Sequence, residues 1–158
     1  MLRHRKLLII LADGEHARLI RPAHNRTFET VAQFDSVTAH QRSSDLGSDR
    51  PGASMHSGST AHHAIEPRTD PHAKEKHRFA RLVADEVNRL VAANEYHELA
   101  VVAPTRALAD LQQELSSQAM QRVIGTLSKD LIKSPIRDVW DQVHHWIGAE
   151  HVLAGPAE

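Results

Sequence analysis

The sequence predicts a single α/β domain, a mixed five-stranded sheet with helices on its faces, in the order βββ, long loop, α, β, α, β, α. Three observations carry this. Two apolar runs of strand length, residues 7–12 and 99–103, contain no polar side chain, as strands covered on both faces do. Elsewhere apolar residues recur at helical spacing. The 158 residues are enough for one domain that buries about two thirds of the surface its unfolded chain would expose.

Residues 7–12 open the sheet, and Asp13-Gly14 is a strong turn signal. In 16–21, Ala17 and Leu19 take one face and His16 and Arg18 the other, as in a half-exposed strand. Residues 22–26 form a second turn. Residues 27–34 alternate again, with Phe28 and Phe34 on one parity, which completes an antiparallel meander. Residues 36–72 are rich in Ser, Thr, Gly, Pro and His and have no apolar period; they read as a long flexible loop. Order returns at Ala73. Phe79, Leu82, Val83, Val87, Leu90 and Val91 line one face of a helix over 73–93. Residues 99–103 follow and Pro104 stops them. Thr105 is a good N-cap for a helix whose stripe is Ala107, Leu108, Leu111 and Leu115. Residues 123–127 make a short strand. Ser134-Pro135 reads as an N-cap with proline in the first helical position. Ile136, Val139, Trp140, Val143 and Ile147 form the apolar face of the last helix. The domain thus spans 1–148, with a tail over 149–158. The runs 7–12 and 99–103 belong side by side at the sheet centre, and the helix between 99–103 and 123–127 suits a parallel crossover.

Composition removes several function classes. Lys and Arg number 19 and Asp and Glu 20, so the formal charge is −1 and a strongly basic nucleic-acid binder is not indicated. Cysteine is absent, which excludes a disulfide framework, a thiolate zinc site, an iron–sulfur cluster and a thiol nucleophile. No apolar run approaches the ~20 residues of a membrane span. Arg3, Arg5 and Lys6 precede residues 7–12, but Asp13, Gly14 and Glu15 end the run too early for a secretory signal. The expectation is a cytoplasmic protein with no membrane partner. The neutral total hides an asymmetry: residues 1–26 hold six basic and two acidic side chains, and 94–158 hold five and nine.

The element order is that of the ribonuclease H-like topology. A nuclease of that kind needs several carboxylates converging on metal ions, and residues 99–105 carry none; Asp13 is read as a turn residue. Gly-x-Gly-x-x-Gly, Walker and Gly-x-Ser-x-Gly patterns are absent. No catalytic residue and no cofactor are assigned. The thirteen histidines can gain protons just below neutral pH. Five of them, His40, His56, His62, His63 and His72, lie in the loop, and the last four are weak metal candidates with no recognised ligand spacing. The best candidate for meeting RNA phosphates is formed by Arg42, Arg50 and Arg68 with Lys74, Lys76, Arg78 and Arg81 at the start of the helix. The plain alternative is a solvated helix face.

Four blocks in order, residues 6–20, His77-Arg-Phe-Ala-Arg-Leu-Val, Glu98-Leu-Ala-Val-Val-Ala-Pro104 and Leu127-Ser-Lys-Asp-Leu131, resemble the host attachment protein family. These bacterial proteins are required for attachment to host cells and are grouped with relatives of archaeal and eukaryotic peptide-chain release factors. The resemblance covers about residues 5–147 and implies a fold like the release factor's middle domain. In true release factors the corresponding loop carries a Gly-Gly-Gln tripeptide that promotes hydrolysis of peptidyl-tRNA. Here Gly47, Gly52 and Gly58 are isolated and Gln41 is the loop's only glutamine, so no hydrolytic residue carries over. The expected function is a non-enzymatic adaptor that contacts ribosome or tRNA through loop 36–72 and helix 73–93. The alternatives are a peptidyl-tRNA or related ester hydrolase with a divergent loop, and a factor acting indirectly in attachment to host cell surfaces.

Overall fold

The structure is a computed structural model that describes residues 5–36 and 71–148. Its elements are β1 (Leu7–Ala12), β2 (His16–Ala23), β3 (Thr27–Asp35), α1 (Pro71–Ala92), β4 (Glu98–Val102), α2 (Thr105–Glu114), α3 (Ser117–Gln121), β5 (Val123–Leu127) and α4 (Ile136–Val143), which a 3-10 turn at His144–Trp146 follows. The five strands form one sheet in the order β3-β2-β1-β4-β5. β1 pairs antiparallel with β2 and parallel with β4, and β4 pairs parallel with β5. The two uninterrupted apolar runs are therefore neighbours at the sheet centre, as their composition predicts.

Alternation along β1 explains why neither of its faces is polar. Leu8, Ile10 and Ala12 pack under α1, α2 and α3 with Phe79, Val83, Val87 and Leu111. Leu7, Ile9 and Leu11 pack on the other face with Val139 and Val143 of α4. Successive strand side chains point to opposite faces, and both faces here are covered.

α1 ends in a Schellman-type cap. The Asn94 N–H donates to the Val91 carbonyl at 2.8 Å and the Glu95 N–H to Leu90 at 3.0 Å. Asn94 takes the left-handed conformation (φ 61°) that glycine more often supplies there.

Several boundaries and facings differ from the sequence expectation. α1 starts at Pro71, so Pro71 and His72 belong to the helix rather than to the loop. Proline suits a first turn because its missing N–H would have no helical partner there. Thr105 is not an N-cap: Pro104 is extended, and Thr105 is helical, with its Oγ1 2.6 Å from Ser128 Oγ. Pro135 is likewise the extended cap residue of α4, not its first helical residue, and Ser134 does not cap it. α2 stops at Glu114, and a separate helix α3 follows, capped by the Ser116 hydroxyl, which accepts from the Ala119 N–H at 3.0 Å. The β2–β3 turn is tighter than 22–26: Ala23 pairs with Thr27, and Asn25 and Arg26 carry positive φ. Phe28 and Phe34 do not share a face. The β2–β3 register shifts between Leu19 and Ile20, which pair with Ala32 and Thr30 and leave Val31 as an extra residue. The bulge reverses the alternation, so Phe28 packs beside α4 and Phe34 beside α1. Ile136, expected on the buried face of α4, is 37% exposed. The flexible loop expected over 36–72 and the tail over 149–158 otherwise fall outside the described residues.

Candidate functional site

The turn after β1 is built by Asp13. Its Oδ1 accepts from the backbone N–H groups of Glu15 (2.7 Å) and His16 (2.6 Å). This side-chain-to-backbone turn is what Asp followed by Gly encodes. Ser36, which follows β3, donates its N–H to the Glu15 carbonyl at 2.7 Å. The chain therefore leaves the described meander beside the β1–β2 turn.

It re-enters at α1, whose first turns carry Lys74, Lys76, Arg78 and Arg81. All four are exposed. Lys74, Arg78 and Arg81 are spaced i, i+4, i+7 and share a helix face. Arg78 lies 3.9 Å from Glu75, and Arg81 Nε lies 3.4 Å from Glu114 Oε1. Lys76 is turned about 160° from Lys74 at ~100° per residue. Its stem lies on Gly14, where a Cβ would come within 2.8 Å of Lys76 Cδ. The lack of a side chain at Gly14 is what allows that approach. His72 is exposed in the first turn of α1. Arg42, Arg50, Arg68, His40, His56, His62 and His63 lie outside the described residues.

Lys76 borders a cleft of about 310 Å³ between α1, α2 and the β1–β2 turn. Phe79, Ala80, Val83 and Leu111 supply apolar lining, and Asp13, Glu15, Lys76, Arg106 and Asp110 supply charge. The cleft stands at the carboxyl ends of β1 and β4, where open α/β sheets usually take ligands.

One wall of the cleft continues into a line of charges across α1 and α2. His77 Nε2 lies 2.8 Å from Glu114 Oε2, and its Nδ1 lies 3.3 Å from Asp110 Oδ1. A neutral imidazole donates from only one nitrogen, so facing two carboxylates favours the imidazolium. The pKa of His77 is accordingly raised, mainly by the hydrogen bond with Glu114 and then by that with Asp110, against the opposing effect of burial. Glu114 is held below the usual carboxylate range, first by His77 and also by Arg81. Asp110 is only 8% exposed, and Arg106 Nε lies 4.0 Å from the same Oδ1 that faces His77. The sequence reading missed His77, Arg106, Asp110 and Glu114. The available signal was Asp110, an acid set beside Leu111 inside the apolar stripe of α2.

Among the described residues, no group of three or more His, Asp or Glu side chains is arranged to hold a metal ion. No described helix is long and apolar enough to cross a membrane.

A family model described as "protein required for attachment to host cells" matches residues 8–143. The chain belongs to this host-attachment family. The match begins in β1 and ends with α4, so the sheet apart from Leu7, the cleft and the His77 bridge fall within the family's span. No curated protein matches the chain.

Proposed function

We propose that this host-attachment family protein works without catalysis, as a cytoplasmic adaptor that contacts ribosome or tRNA through the start of α1 and the segment before it. One observation carries the reading: Lys74, Arg78 and Arg81 stand exposed on one face at the end of the molecule where the chain leaves at Ser36 and returns at Pro71. Such a face suits phosphate contacts, which position a protein without reading sequence. The strand order β3-β2-β1-β4-β5 is compatible with a ribonuclease H-like sheet of the kind found in the release factor's middle domain. With no Gly-Gly-Gln in the intervening segment, binding is the better-supported part of that likeness. The protein's role in attachment to host cells is then indirect.

The test is sucrose-gradient sedimentation of lysate at low and high salt, with wild type and a Lys74→Glu/Arg78→Glu variant. Wild type travels with ribosomal or tRNA fractions at low salt and leaves them at high salt, because phosphate contacts release counterions. The folded double variant stays at the top of the gradient. If wild type stays at the top at low salt, or the variant travels with it, the reading fails.

A further inference from the structure

We propose that the cleft between α1, α2 and the β1–β2 turn binds a small zwitterion with an apolar body, of the class of the apolar α-amino acids. The argument starts from which charges on its lining are already engaged. Asp13 Oδ1 is held by two backbone N–H groups. Asp110 is held by His77 and approached by Arg106. Two charges remain. Among the described residues, neither Lys76 nor Glu15 makes an ion pair, although both line the same cleft. An unspent cation and an unspent anion that do not meet each other are the complement of a ligand carrying one group of each sign. The ligand's carboxylate goes to Lys76, with Arg106 on the same lining, and its ammonium goes to Glu15.

Size and floor fix the rest of the ligand. Phe79, Val83 and Leu111 offer an apolar surface for a hydrocarbon side chain. About 310 Å³ is at the small end of the ~300–1,000 Å³ found for ligand pockets and is room enough for one amino acid. Gly14 contributes by leaving room for the lysine stem, which lies across it. The site is separate from the proposed RNA face, because Lys76 points away from Lys74, Arg78 and Arg81.

The experiment is a ¹H–¹⁵N NMR titration of the full chain with L-phenylalanine and L-leucine, and with N-acetyl-phenylalanine and phenylalanine methyl ester. At millimolar ligand, at least one free amino acid shifts the amides of Gly14, Lys76, Phe79 and Ala107. The two blocked derivatives bind about tenfold more weakly, the loss of about 1.4 kcal/mol of pairing. In Lys76→Ala the preference over the methyl ester disappears. In Glu15→Gln the preference over the N-acetyl derivative disappears. Both variants lie on the surface, and their spectra report directly whether they are folded. The proposal is overturned if neither free amino acid shifts these amides, if the shifts map elsewhere, or if the blocked derivatives bind as well as the free ones.

Discussion

His77 on α1 and Glu114 on α2 are joined by a 2.8 Å contact between Nε2 and Oε2, and this contact makes the helix pair sensitive to pH. The raised pKa of His77 means that its contribution is full below the unfolded value of about 6.5 and is lost as pH rises through the folded value. The lowered pKa of Glu114 means that its contribution is full above its unfolded value and is lost as pH falls through the folded one. The bridge is therefore strongest in mildly acidic solution. In urea unfolding, the stability gap between wild type and His77→Gln should be wider at pH 5.5 than at pH 8.5. A gap that does not change with pH would remove the imidazolium from the account.

Val101 is 1% exposed in β4, beside Ile10 of β1. Val101→Asp places an unpaired charge between covered faces, at a cost of several kcal/mol against a total stability of ~5–15. Circular dichroism should show an unfolded chain at 25 °C. A cooperative melt at the wild-type temperature would contradict the assigned core.

Asn88 holds the α2–α3 corner from α1. Its Nδ2 donates to the Glu114 carbonyl at 3.1 Å, and its Oδ1 accepts from the Ser116 N–H at 2.8 Å. Asn88→Ala strips both groups of their partner at a part-buried site and should cost about 1–3 kcal/mol in denaturant unfolding. A loss below 0.5 kcal/mol would mean that water replaces the side chain at both ends.

Gly125 is a second place where a missing side chain shapes the structure. A Cβ there would fall only 2.3 Å from Trp146 Nε1 and 2.6 Å from Cε2. The indole is rigid and cannot bend aside as the Lys76 stem can at Gly14. Gly125→Ala should cost about 1–3 kcal/mol through overpacking, and most of that cost should vanish in a Trp146→Ala background. Additive effects in the double-mutant cycle would show that the two residues do not meet.

The isolated protein should release no peptide from peptidyl-tRNA. Positioning a reactive water is worth many kcal/mol, and the tripeptide that serves this in release factors is missing from residues 36–72. Release of labelled peptide from stalled ribosomes, in proportion to added protein, would restore the hydrolase reading.

What could be read in the sequence was what repeats along it. The apolar runs 7–12 and 99–103 gave the central pair of strands, though not its parallel direction, and the stripe from Phe79 to Val91 gave α1. Local exceptions were hidden. The Val31 bulge swaps the facing of Phe28 and Phe34, yet nothing in the alternation of 27–34 marks it. Pro104 and Pro135 occupy cap positions, which a sequence rule assigns more readily to the adjacent Thr105 and Ser134. The basic start of α1 was legible as a charge run. The cleft and the His77 bridge were not, because His77 and Glu114 lie 37 residues apart and meet only when α1 packs on α2.

The parallel pairing of β1 with β4 sets an order of assembly. Leu7 pairs with Glu98, whereas β2 and β3 lie within the next 28 residues of sequence. A growing chain can close the meander early, but β1 then presents an open edge, apolar on both faces, until β4 is made. Long-range parallel pairing of this kind is slow, and unpaired apolar edges recruit other chains. Fragments that stop short of β4 should therefore aggregate rather than remain as stable meanders, and β1 is the strand through which they would do so.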